Sequence, residues 1–195
     1  MISVLDYGMG NLRSVLKAFE SLGAPVRLVT DLRSVEKLVI PGVGAFGAAM
    51  ERIEPLRDEI RAFAAGGGPT FGICLGQQLL FDESEEMGQH TGLGLIPGRV
   101  RYLPAEGQKV PHMGWSPLSY RRHDGLNADA VEGEQVYFVH SLYTDCADSA
   151  DVAATASYGV EFPAMVARGN VWGAQFHPEK SGAVGLRMLE RFAQC

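Results

Sequence analysis

Apolar positions along this chain fall into short runs punctuated by glycine and proline, and in the first half the runs alternate between strand and helix periods. Residues 2–5 read as a buried strand that enters the turn Asp6-Tyr7-Gly8-Met9-Gly10-Asn11. Leu12, Val15, Leu16 and Phe19 then recur at helical spacing, with Asn11 placed to cap that helix and Gly23 and Pro25 placed to end it. Residues 26–29 and 37–40 predict two more strands, the second running into Pro41-Gly42-Val43-Gly44-Ala45-Phe46-Gly47. A helix over 50–65, bent at Pro55, stops at Gly66-Gly67-Gly68-Pro69. Strands alternating with helices predict a three-layer α/β fold with a largely parallel central sheet. After the acidic stretch 82–86, expected to be a solvated loop, the rhythm changes. Short β-rich runs at 99–103, 136–139, 152–156 and 164–168 predict an antiparallel or mixed extension of the sheet. A strand at 171–176 and a helix at 182–192 close the chain. No repeat, low-complexity tract or linker interrupts it, so one domain over 1–195 is expected.

The candidate chemistry starts at Phe71-Gly72-Ile73-Cys74-Leu75-Gly76, an apolar strand that turns sharply and leaves as a helix over Gln77-Gln78-Leu79-Leu80-Phe81. Glycines two residues before and after Cys74 suit a nucleophile elbow, where a β-carbon would collide with the neighbouring backbone. Amides at the start of the helix would favour a thiolate there. The same string also fits a buried cysteine in a Gly-rich turn. Gly42, Gly44 and Gly47 could expose amides as an oxyanion hole requires, or form a plain tight turn. Gly8-Met9-Gly10-Asn11 lacks the third glycine of a dinucleotide fingerprint.

A cysteine nucleophile needs a base, and the chain offers five histidines. His90 and His123 lie in polar, turn-rich segments and are expected at the surface, whereas His112 and His140 adjoin strands. His177 ends an apolar strand before a proline, and Glu179 follows two residues later. In extended backbone the two would face the same way, so the carboxylate could steady the imidazole.

Composition narrows the partners. A net charge of −6 argues against nucleic acid or an anionic membrane as the main partner, and no run approaches the roughly 18 apolar residues of a membrane span. The three cysteines have no metal-ligand spacing and cannot all pair, which fits a reducing cytoplasm.

Taken together, Gly72-Ile73-Cys74-Leu75-Gly76-Gln77-Gln78 and Gln175-Phe176-His177-Pro178-Glu179 resemble the class I glutamine amidotransferase family. The stretches from Asp6 to Val15, Pro41 to Phe46, Pro111 to Trp115, Tyr137 to Ser141 and His177 to Ser181 are similar, within it, to glutaminase subunits of imidazole glycerol phosphate synthases. The resemblance implies a flavodoxin-like core with Cys74, His177 and Glu179 as catalytic residues that hydrolyse L-glutamine to glutamate and ammonia. It also implies an oxyanion hole from Val43, Gly44 and Leu75, and substrate contacts from Gly42, Gln78, Ser141 and Leu142. A (β/α)₈-barrel cyclase partner would form a heterodimer with the chain, receive the ammonia, and face His112, Met113, Trp115, Tyr137 and Lys180. No metal or organic cofactor is implied. Gln77 stands where Met is more usual, and Leu142 where Tyr is expected. The competing readings are a glutaminase subunit of another ammonia-using synthase, a stand-alone cysteine hydrolase or peptidase of the same fold, and a non-catalytic binding module.

Overall fold

The computed structural model describes residues 1–104, 106–123 and 125–195. The first part alternates as expected: β1 (Ile2–Leu5), α1 (Leu12–Ser21), β2 (Val26–Val29), β3 (Lys37–Gly42), α2 (Phe46–Ile53), α3 (Arg57–Ala65), β4 (Thr70–Cys74) and α4 (Leu75–Leu79). The second part is mostly strand: β5 (Phe81–Ser84), β6 (His90–Thr91), β7 (Ile96–Tyr102), β8 (His112–Pro117), β9 (Ser119–Tyr120), β10 (Gln135–His140), β11 (Leu142–Cys146), β12 (Val152–Tyr158), β13 (Val160–Arg168) and β14 (Val171–Ala174), closed by α5 (Gly182–Gln194).

The main sheet runs β2-β1-β3-β4-β14-β13-β12-β9. Its first five strands are parallel and the pairings from β14 onward are antiparallel. The parallel order reverses between β1 and β3, the topology whose crevice lies outside the carboxyl ends of the strands. Alternate residues of each strand feed opposite layers. Val39 and Phe71 pack with Phe19 of α1 and Phe192 of α5, whereas Leu38 and Ile40 pack with Phe46 of α2, Ile60 of α3 and Leu79 of α4. Phe19, Phe46, Phe71 and Phe192 are fully buried, each worth about 1.5–3 kcal/mol of transfer free energy.

Several expectations shift. The 50–65 helix begins at Phe46 and is broken rather than bent, because Pro55 sits in a 3-10 turn, Glu54–Leu56, between α2 and α3. Asn11 makes no capping hydrogen bond through its side chain. The helix after Cys74 is one turn long, and Phe81 already belongs to a strand. Part of the supposed acidic loop is that strand, with Ser84 buried. The β-rich second half only partly extends the main sheet. β11-β7-β5-β6 form a second sheet and β8-β10 a separate ribbon. The last strand ends at Ala174. Among the described residues no helix is long and apolar enough to cross a membrane.

Candidate active site

β4 is buried along its whole length between β3 and β14, and Cys74 closes it with φ 56° and ψ −111°, a conformation that costs a non-glycine residue about 1–3 kcal/mol. The flanking glycines make the turn possible. A Cβ at Gly72 would lie 2.5 Å from the Gly76 carbonyl oxygen, and one at Gly76 would lie 1.7 Å from the carbonyl oxygen of Ile40 on β3. Neither obstacle is a side chain that can swing away. We therefore expect Gly76→Ala to destabilise the chain beyond the roughly 1–3 kcal/mol of ordinary overpacking. A circular-dichroism melt checks this, and a wild-type midpoint would mean the backbone relaxes freely.

His177 follows β14 in extended conformation, and the 3-10 turn Pro178–Lys180 curls the chain so that His177 Nδ1 meets Glu179 Oε1 at 2.8 Å. The contact expected from an extended i, i+2 pair is thus made by a turn. Both side chains are almost inaccessible, at 3% and 1%. Nε2 has no hydrogen-bond partner among the described residues and is the nitrogen left for Cys74, whose sulfur is near enough to act on the imidazole. Burial, the largest single influence, pulls the His177 pKa down. The proximity of the Cys74 sulfur, together with the hydrogen bond and charge of Glu179, outweighs it and lifts the group to about 9. The Cys74 sulfur also lies 3.9 Å from the Val139 carbonyl oxygen and 3.8 Å from Gln175 Nε2.

Cys74 opens onto a cavity of about 310 Å³, within the usual range for small-molecule sites. Val43, Gly44, Leu75 and Gln78 line one part of it and Ser141 and Leu142 another. Gly42 pairs with Cys74 across β3 and β4. A Cβ on Gly42 would meet the Tyr7 hydroxyl at 2.5 Å. That hydroxyl donates to the Pro41 carbonyl at 2.7 Å and fixes the base of the 42–44 loop. Burial, and next the charge of Cys74, push the Tyr7 pKa above its ordinary value, so the hydroxyl keeps its proton and stays a donor. Gly44 has φ +112°, and Val43 is 43% exposed.

Sequence reasoning missed Glu86 as a site residue because four acids among five positions read as solvated surface. Its carboxylate accepts from the Phe46 amide at the start of α2 and lines the cavity, as does Pro111. Gln77 does not line it. That side chain is buried, donates to Thr144 Oγ1 at 3.1 Å, and leaves its own oxygen without a partner among the described residues.

The β8-β10 ribbon splits the expected partner strip in two. Met113 (63% exposed) and Trp115 (55% exposed) point outward, with the Trp115 ring 6.0 Å from that of its register partner Tyr137. His112 does not join them. Strand alternation turns it inward to 2% exposure, stacked against Phe138 and Tyr158. Lys180 is exposed and His123 is exposed, but His90 is half-buried against Phe46. The hydrogen bonds of His112 and its partner His140 have one consistent set of tautomers. His140 Nδ1 lies 2.7 Å from the Leu142 carbonyl oxygen, which can only accept, so it carries the proton. His140 Nε2 then accepts from His112 Nδ1 at 3.1 Å, and His112 Nε2 accepts from the Ser116 hydroxyl at 2.9 Å. Burial, above all, depresses the His140 pKa to about 3, and it lowers that of His112, which suits a neutral pair.

Comparison with known proteins places this arrangement. The family model of class-I glutamine amidotransferases matches residues 3–194. The imidazole glycerol phosphate synthase subunit HisH of Geobacillus thermodenitrificans is 52% identical over 202 residues, covering 98% of this chain and 94% of that protein. The HisH subunit of Natronomonas pharaonis is 50% identical, covering 98% and 93%, and that of Desulfitobacterium hafniense strain DCB-2 is 47% identical, covering 100% and 94%. Two solved structures share the fold. One is a glutamine amidotransferase, with TM-score 0.76 and 23% identity over 100% of this chain and 99% of that one. The other is the PurLQS structure from Thermotoga maritima, with TM-score 0.77 and 24% identity over 99% and 97%. A family match along nearly the whole sequence, joined to about half identity over full length with relatives from distant organisms, leads to one conclusion: the chain belongs to the class-I glutamine amidotransferases and, within them, to the HisH subunits of imidazole glycerol phosphate synthase.

Proposed function

We propose that residues 1–195 act as a single cytoplasmic glutaminase domain in which Cys74, His177 and Glu179 hydrolyse L-glutamine, and that the ammonia passes to a (β/α)₈-barrel cyclase. That partner would consume it in forming imidazole glycerol phosphate and AICAR for histidine biosynthesis. The observation that carries the reading is the buried His177, held at 2.8 Å by Glu179 and placed beside Cys74 under the cavity. The Cys74 thiolate adds to the side-chain amide carbon. The oxyanion is held by the Leu75 amide and an amide of the 42–44 loop, each such donor being worth roughly 3–4 kcal/mol in an analogous hole. The His177 imidazolium gives its proton to the nitrogen, ammonia leaves, and the neutral imidazole then activates water to free glutamate from the thioester. Glu179 orients His177 throughout. Gln78 Oε1, which has no partner among the described residues, the backbone of Ser141 and Leu142, and the Glu86 carboxylate suit the amino-acid end of glutamine.

Met113, Trp115, Tyr137 and Lys180 form the proposed docking face, with Val43 exposed as well. The face is tied to the base. The Tyr137 carbonyl accepts from the His177 amide, and the Tyr137 amide donates to Ser181 Oγ, both at 3.0 Å. A partner on β10 therefore acts on the turn that presents His177, and a peptide rotation beside Gly44 could bring an oxyanion amide inward. Glutamate release should be slow for the chain alone. It should rise with cyclase, and rise by at least about tenfold with cyclase plus its nucleotide-like acceptor, within the usual span of allosteric coupling. Val43→Pro, which removes an amide hydrogen, should abolish that stimulation. Equal rates in all three mixtures would sink partner activation.

A further inference from the structure

We infer that Gln175 is a further catalytic residue of this reaction: its side-chain amide donates an N–H to the Cys74 sulfur, and the Leu142 carbonyl, acting through Gln78, fixes the amide in that sense. The inference rests on Cys74 being the nucleophile of glutamine hydrolysis. The logic starts from an atom whose role is not adjustable. The Leu142 carbonyl oxygen only accepts, so the Gln78 atom 3.2 Å away must be the nitrogen, Nε2. The same nitrogen lies 3.0 Å from the Gln175 side chain, which must therefore present its oxygen, Oε1. Gln175 is left with Nε2 toward the sulfur, at 3.8 Å. Flipping either amide would set two donors or two acceptors against each other in a fully buried place.

Gln175 is 0% exposed, and the sulfur is the one acceptor its nitrogen has among the described residues. Besides the His177 imidazole, the sulfur also has the Val139 carbonyl at 3.9 Å, which suits a thiol and opposes a thiolate. The Gln175 amide works in the reverse direction, since a hydrogen bond to a charged acceptor is stronger than one to a neutral acceptor. It stabilises the thiolate before attack. It loses strength when the sulfur becomes a neutral thioester, and regains it as the C–S bond breaks and the electron pair returns to sulfur. The contact thus assists both the supply of the nucleophile and its departure.

The test uses the full chain with Cys146 and Cys195 changed to serine, so that iodoacetamide reports on Cys74 alone. Alkylation rates across pH are compared for Gln175, for the isosteric Gln175→Glu and for Gln175→Met. Both variants should raise the alkylation midpoint by about one pH unit, roughly a tenfold loss of thiolate below the midpoint. Gln78→Met, which releases the Gln175 amide, should move it the same way by less. An unmoved midpoint in a folded Gln175 variant overturns the inference. Should the variants fail to fold, nitrogen-15 NMR of the unaltered side chains decides. The Gln175 amide resonances should shift when Cys74 is alkylated while those of Gln108 stay in place, and an unmoved Gln175 resonance overturns the inference equally. Glutamate release by the unaltered chain, measured alongside, tests the underlying reading separately.

Discussion

Replacing Cys74 by alanine should lower glutamine-dependent turnover of the assembled synthase by at least about a thousandfold if it is the nucleophile we propose, the size of loss that follows removal of a triad nucleophile. Synthesis fed by ammonium salts should stay close to the wild-type rate. The separation follows from the placement of Cys74. Its sulfur faces the cavity, His177, the Gln175 amide and one carbonyl, and none of these contacts is a strong neutral hydrogen bond on which the elbow depends. The backbone at φ 56° is as accessible to alanine as to cysteine, so the turn and the 42–44 loop beside it should survive. In the proposed mechanism ammonium bypasses the step that needs the Cys74 sulfur. Rates from glutamine and from ammonium chloride, measured on one preparation of the complex, check the result. Joint loss of both would make Cys74 structural.

The base and its carboxylate should not be equal losses. His177→Ala removes the group proposed to protonate the leaving nitrogen and to activate water, and should cost more than Glu179→Gln, which keeps the shape of the 2.8 Å contact and removes a charge. The pH profile carries the clearer signature. With the imidazole lifted to about 9, the proposed proton donor is present at neutral pH and is lost on the alkaline side, so the rate should fall as pH rises through about 9. Burial depresses His177 and the Cys74 and Glu179 interactions raise it, so deleting the Glu179 charge must move that limb to lower pH. The same sign applies to folding. The folded-state value lies above the ordinary 6.5, so the contribution to stability is complete below about pH 6.5 and disappears as pH climbs through about 9. Steady-state rates from pH 6 to pH 10 for the two variants decide. A Glu179→Gln enzyme slower than His177→Ala, or with an unmoved alkaline limb, would overturn the assignment of roles.

What the sequence disclosed was local. Gly72 and Gly76 were legible because no other residue tolerates the Gly76 and Ile40 carbonyls at that range, and the elbow follows from the pair. Core strands such as β3 and β4 were legible because residues buried on both faces leave unbroken apolar runs. What stayed hidden depends on chain segments far apart in sequence. Glu86 becomes part of the cavity only through a hydrogen bond to Phe46, forty residues earlier. Tyr7 matters because its hydroxyl reaches Pro41. His112 was expected to face a partner beside Met113 and Trp115 until the pairing of β8 with β10 assigned it to the other face.

The Leu142 carbonyl has a consequence for proton traffic. A series of hydrogen bonds runs from Ser116 through His112 and His140 to Leu142, and from there through Gln78 and Gln175 to the Cys74 sulfur. A Grotthuss wire requires every member to receive a proton on one side and release one on the other. Leu142 receives on both sides, from His140 Nδ1 and from Gln78 Nε2, and has nothing to release. The series is therefore insulated at its midpoint, and no proton can leak from the nucleophile to the surface of β8 by this route. Under the proposed mechanism, the acid and base steps of hydrolysis then fall to His177.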